Sequence, residues 1–209
     1  MLVSEVTARG TVPFPEHTGE RIYMVPFTKK AGVPAFMSRW QRTVDAMLDG
    51  VDAPGEIFIM VDQKIVRANS THRRPGMHID GWWNPSGKPH PGPDLKVLSD
   101  AGIHGTGRHV TQRLSGHSTH VTKEMDGWPD EALFLASDVV GCRALVGLFE
   151  GEPGKGGDCT HLDLSAGKEV VFEANRAYSG NVTMLHESMV LPADSLRTVV
   201  RLNVPGLYM

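Results

Sequence analysis

Two distant stretches of the chain carry side chains able to share one metal ion. His78-Ile79-Asp80 lies in the run from Arg74 to Gly81, and His186 lies in Met184-Leu185-His186-Glu187-Ser188. Side chains alternate across a strand with period two, so the outer residues of an H-x-D triplet share one face. Two imidazoles and one carboxylate fill three positions of an octahedral ion and leave three open for a chelating cosubstrate and oxygen. Gly76 and Gly81 flank the triplet, where backbone and ligand can approach closely. A second triplet, His161-Leu162-Asp163, lies only a short interval before His186 and is the weaker alternative.

On its own, a histidine in the apolar run from Val182 to Leu191 reads as a core or edge residue. The residues beyond it change that reading. Arg197 and Arg201 are four apart on a predicted strand and point to one side, with Val199 and Asn203, while Leu196, Thr198, Val200, Leu202 and Val204 take the other. Two guanidinium groups aimed into a sheet-lined interior are costly unless anions meet them. A dicarboxylate ligand would meet them, because guanidinium grips carboxylate in a two-pronged fork. The structural alternative is a buried acid, for which Asp194 and Glu187 are the nearby candidates. Trp82, Trp83 and Asn84 follow the triplet directly and are candidates for a substrate-facing wall.

These residues need rigid elements to bring them together. A strand is expected over Glu56–Val66, with Asp62-Gln63 as a turn or bulge, and an earlier one over 21–26. Phe36, Met37, Trp40, Val44, Met47 and Leu48 recur at helical spacing, so 34–49 is expected to be a helix packed on a sheet. Further strands are expected over 132–136, 143–149, 159–164, 169–172, 182–186 and 196–204. Between them lies a long polar insertion, about 84–130. It carries His104, Arg108, His109, Arg113, His117, His120 and Lys123, read first as a solvated loop and alternatively as a basic lid. The whole chain, 1–209, reads as one domain: N-terminal extended segments and a helix over 1–55, then a β core over 56–204.

Composition sets the outer limits. A length of 209 residues gives one domain with a real core, and the many turns implied by 23 Gly and 14 Pro suit a mainly β sandwich, barrel or jelly roll. A net charge of -3 gives no global basic footprint for nucleic acid. Cys142 and Cys159 alone make no disulfide framework. There is no apolar stretch of membrane-spanning length and no signal-type leader, so the expected location is cytoplasmic.

An H-x-D pair, a distal His and an Arg eleven residues beyond it resemble the Fe(II)/2-oxoglutarate-dependent oxygenase superfamily, over roughly residues 56–204. The resemblance implies a double-stranded β-helix fold (jelly roll, cupin-like), with the N-terminal helix packed on its sheet. It implies Fe(II) on His78, Asp80 and His186, with 2-oxoglutarate as cosubstrate held by Arg197. It further implies a dioxygenase that hydroxylates its substrate through an Fe(IV)-oxo intermediate, releasing succinate and CO2. Many members carry Ser or Thr two residues after the anchoring Arg. Here that position is Val199, which leaves Arg201 as the alternative anchor. A polar residue on the strand before the triplet often touches the cosubstrate, and Asn69 is the candidate. A small-molecule substrate is favoured, with a nucleobase or a protein side chain as alternatives. Two other functions fit the same residues: a cupin-type metal enzyme that does not use 2-oxoglutarate, and a non-catalytic jelly-roll module. The oxygenase reading expects alanine at His78, Asp80 or His186 to abolish turnover with little loss of fold.

Overall fold

The computed structural model describes residues 1–80, 82–84, 94–100, 107–113, 117–119, 128 and 130–207. It is mainly β, with largely antiparallel sheets and one short α-helix. In chain order the strands are β1 (Leu2–Ser4), β2 (Val6–Thr11), β3 (Arg21–Thr28), β4 (Glu56–Val66), β5 (Trp82–Asn84), β6 (Asp94–Asp100), β7 (Gly107–Arg113), β8 (His117–Thr119), β9 (Glu131–Ser137), β10 (Cys142–Phe149), β11 (Lys168–Val171), β12 (Arg176–Asn181), β13 (Leu185–Ser188) and β14 (Ser195–Pro205). One sheet runs β2-β12-β9-β14-β4-β3-β7-β6. A smaller one runs β1-β10-β11, with β13 also paired to β10, and β5 pairs with β8. Among the described residues, no helix is long and apolar enough to cross a membrane.

The middle of the large sheet is buried on both sides, and its central strand β14 shows why. Val200, Leu202 and Val204 face one core, together with Ile57, Ile59 and Val61 of β4, Phe134 of β9, and Trp40, Val44 and Met47 of the helix α1 (Gln41–Met47) and the turn before it. The alternate residues Arg197, Val199, Arg201 and Asn203 face the other way, as strand parity requires. On that inner face, Leu133 and Leu135 of β9 pack with Ala144 of β10, Phe172, Tyr178 and Met184, which joins the two sheets.

Several expected elements change in detail. The helix over 34–49 is broken: Ala35–Trp40 is a 3-10 segment with Met37 outside helical geometry, and only Gln41–Met47 is α-helical. Residues three apart eclipse one another in a 3-10 helix, so Met37 and Trp40 are buried together. The Trp40 indole N–H donates to Glu20 at 2.7 Å. Asp62-Gln63 is no turn, since both residues stay in register with β14. The irregularity falls on β3 instead, between Ile22 and Val25, where Met24 has a φ of 49°. Residues 159–164 form a turn rather than a strand, and β12 was not anticipated. The expected helix-covered sheet and the expected strand over Glu56–Val66 agree with the structure. Most of the insertion at 84–130 lies outside the described residues.

Candidate metal centre

The two histidines meet through their own backbones. His78 N–H donates to His186 O at 3.1 Å and His186 N–H donates to His78 O at 3.0 Å. This is the hydrogen-bonded pair of an antiparallel ladder, which places both side chains on the same face. The ring centroids are 4.7 Å apart. Behind them, Ile79 and Leu185 turn into an apolar cluster with Leu2, Phe149 and Cys159, which anchors both segments. Ile79 N–H donates to Gly157 O at 2.9 Å, and β13 is held by β10 through the pairing of His186 with Ala144. Asp80, two residues after His78, completes a group whose ligand atoms all lie within 4.8 Å of one another and could hold a metal ion.

The hydrogen bonds set the tautomers. His78 Nδ1 lies 2.7 Å from Gly76 O, and His186 Nδ1 lies 3.0 Å from Met184 O. A carbonyl only accepts, so each Nδ1 carries a proton, and a neutral ring is left with its lone pair on Nε2. Burial, and then the neighbouring His186, push His78 down to about 4, so it is neutral at ordinary pH. His186 Nε2 lies 3.4 Å from Asp80 Oδ2. Both atoms belong to the group that could hold one metal ion. The loop before His78 is tied down as well. Glu187 accepts from Gly76 N–H at 2.9 Å and from Arg143 Nε at 2.7 Å.

The two arginines differ. Arg201 is buried, and its Nη1 donates to Asp80 Oδ2 while Nη2 reaches Met24 Sδ at 3.4 Å. Burial opposes the charge on Asp80, but the Arg201 guanidinium, with the two imidazoles, outweighs it and holds the carboxyl well below its usual range. Arg197 is 1% exposed. Its Nε donates to Ser137 Oγ at 3.0 Å, and its Nη1 has no partner. Burial lowers its affinity for its own proton, only partly offset by Cys142, Asp138 and Asp62. Gly141 makes room for it, because a Cβ there would come 2.8 Å from Arg197 Cζ and Nη1. The expected acids are engaged elsewhere, Asp194 with Arg67 at 2.6 Å and Glu187 with Arg143.

A cavity of about 50 Å³ joins these groups, lined by Asp80, His186, Arg201, Arg197, Ser137 and Arg73 among others. That is several times the roughly 10–15 Å³ that one water needs. Cys142 also lines it, but burial pushes its thiol up to about 12, which keeps it protonated and a poor ligand.

Asn69 is not in this cavity. It is exposed, sits in a turn at a φ of 60°, and its N–H donates to Leu191 O at 2.8 Å. The second triplet gathers no ligand group among the described residues: His161 Nε2 meets Glu152 O at 3.1 Å, and Asp163 accepts from Ser165 N–H in an exposed turn. The backbone of Trp82, Trp83 and Asn84 forms β5, directly after Asp80, while their side chains lie outside the described residues. Ser137, Arg73 and Met24 were missed. Ser137 ends an apolar strand, and nothing in its sequence surroundings marks it as a partner for Arg197.

Compared with family models, curated proteins and solved structures, the chain matches none. The grounds for a function are therefore its own side chains.

Proposed function

We propose that the protein is an Fe(II)- and 2-oxoglutarate-dependent oxygenase that hydroxylates a C–H bond of its substrate, and that its paired sheets are a double-stranded β-helix. The observation that carries this reading is Arg197, a buried guanidinium with an unpartnered nitrogen, lining the same cavity as His186 and Asp80. A cation left so incompletely paired in a protein interior is costly unless an anion completes it. The donor set of two imidazole nitrogens and one carboxylate oxygen suits a divalent first-row metal such as iron, with positions left open.

His78, Asp80 and His186 would hold Fe(II), which supplies oxygen activation coupled to the oxidation of 2-oxoglutarate to succinate and CO2. The chain's own contribution is positional. The Nδ1–H contacts to Gly76 O and Met184 O fix both rings with Nε2 presented. Arg201 holds one carboxylate oxygen of Asp80 and so sets its rotamer. Arg197 would receive the far carboxylate of the cosubstrate in place of the anion it lacks. It lies two same-face positions along β14 from Arg201, roughly 13 Å at the backbone. On this reading Arg197 would be the anchor, while Arg201 serves Asp80.

The test is uncoupled turnover: succinate formed from 2-oxoglutarate by full-length protein with Fe(II), oxygen and a reductant. Wild type should form succinate, and His186→Gln and Asp80→Asn should not. Equal succinate in all three, or none in a wild type shown to bind iron, would contradict the proposal.

A further inference from the structure

Beside the metal cavity lies a second one, of about 210 Å³, lined by Arg21, Tyr23, Met60, Asp62 and Arg73 among others. The two cavities share Met60 and Arg73. Met60 is the register partner of Arg201, and Asp62 is the next same-face residue on β4. The second cavity therefore continues the inner face away from Asp80.

Its charge is unbalanced. Asp62 is buried and accepts from Arg21 Nε at 3.2 Å on one oxygen and from Arg73 Nη1 at 3.2 Å on the other. His72 Nε2 lies 3.3 Å from the same Oδ2. Burial lowers the affinity of His72 for a proton more than Asp62 restores it, so at neutral pH the ring adds no charge. Lys64, the next same-face residue along β4, adds a further cation: burial lowers its affinity for its proton, and Asp62 opposes that while Arg21, Arg73 and Arg197 add to it. Among the described residues a single carboxylate thus faces two guanidinium groups. Each spends one nitrogen on Asp62, and their remaining nitrogens make no side-chain hydrogen bond among the described residues. The two side chains are 42% and 38% exposed, so a ligand can reach them. Guanidinium forks held at fixed positions by a buried acid are suited to a planar or tetrahedral oxyanion.

We infer that Arg21 and Arg73 form a substrate subsite that takes an oxyanion, a carboxylate or a phosphate, on a small molecule whose remaining part lies along Met60 toward the metal centre. This rests on the oxygenase reading for the word substrate, but the anion site itself does not depend on it. Arg73, common to both cavities, sets how far the anion sits from the reacting carbon.

The experiment is arginine Nε–Hε NMR on the full-length, metal-free chain, titrated with acetate and with inorganic phosphate at matched ionic strength. Signals are assigned from Arg21→Gln, Arg73→Gln and Arg197→Gln. Arg21 and Arg73 should shift along one saturable curve, and Arg73→Gln should weaken the response at Arg21 by about tenfold, as expected for loss of a charge-assisted hydrogen bond. Arg73→Lys, which keeps the charge without the fork, should fall between them. A tighter response to acetate assigns a carboxylate substrate; a tighter response to phosphate assigns a phosphate ester. Shifts equal to those with sodium chloride, or confined to Arg197, would overturn the subsite while leaving the oxygenase reading to its own turnover test. A clean response at Arg21 and Arg73 in a protein that fails the turnover test would keep an anion site and overturn its role toward substrate.

Discussion

Replacing Arg197 with methionine separates two effects that a purely structural arginine would keep together. Its burial at 1% exposure costs an incompletely paired cation several kcal/mol. The charge-assisted hydrogen bond to Ser137 returns only about 1.5–3 kcal/mol of that. Methionine is unbranched and adaptable and fills much of the same space. The ligand-free variant should therefore be more stable than wild type by about 1–4 kcal/mol. For a chain of this size each kcal/mol raises Tm by about 2–4 °C. Binding should move the other way. Removing one partner of a buried charge pair costs about 2–5 kcal/mol, which weakens 2-oxoglutarate binding by about 30-fold to several thousand-fold. The assay is thermal unfolding of both proteins, metal-loaded and anaerobic, with and without 2-oxoglutarate. Wild type at 100 times its Kd should gain about 2.7 kcal/mol from the ligand, and the variant should gain no more than about 0.9 kcal/mol at the same concentration. A variant that melts lower than wild type and still binds 2-oxoglutarate normally would refute this reasoning and make Arg197 a structural tie.

Three further outcomes follow from the same geometry. His78 is held at about 4 against an ordinary 6.5, so the folded state resists a proton that the unfolded chain accepts. Stability of the metal-free protein should therefore be full above pH 6.5 and fall by about 3 kcal/mol as pH drops toward 4, and chemical denaturation of His78→Gln should lack that slope. Asp62 and Asp80, both held below the ordinary carboxylate range, should add a separate loss at still lower pH. Asp80→Ala should lose about 3–5 kcal/mol, because it strands the buried Arg201, whereas Asp80→Asn should lose less and still abolish metal-dependent turnover; equal melting of the two variants would contradict the pairing. The early expectation that alanine at Asp80 leaves the fold intact thus gives way to its ion pair. Gly157→Ala should cost about 1–3 kcal/mol and weaken metal affinity, since its φ is 79° and a Cβ would strike the Ile79 carbonyl inside the metal triplet; unchanged metal affinity would show that this contact does not position His78.

Strand parity made part of the site legible. Arg197 and Arg201 share a face of β14 as period two requires, and β4 and β14 stand close to where their apolar runs put them, whereas His78 makes only isolated bridges and Asp80 lies outside any strand, so parity does not account for their meeting. Partners distant in the chain were not legible. Nothing in the sequence joins Arg201 to Asp80, or Arg197 to Ser137, because neither pairing leaves a local pattern. The turn at Asn69 was legible in principle: asparagine tolerates the left-handed conformation, and the polar run Asn69-Ser70-Thr71 is a turn signal. The strand β12, Arg-Ala-Tyr-Ser-Gly-Asn, lacks a clear alternation, since both its faces are covered, so periodicity could not find it. The break before α1 reflects tertiary packing, with Met37 and Trp40 both drawn into the core.

The most direct test is an anaerobic absorption titration. Metal-free protein receives Fe(II) and then 2-oxoglutarate, in wild type, Asp80→Asn and Arg197→Met. The account predicts a weak visible charge-transfer band in wild type that needs both additions, no band in Asp80→Asn, and a band in Arg197→Met only at far higher 2-oxoglutarate. Iron binding in wild type with no band at any 2-oxoglutarate concentration would contradict it.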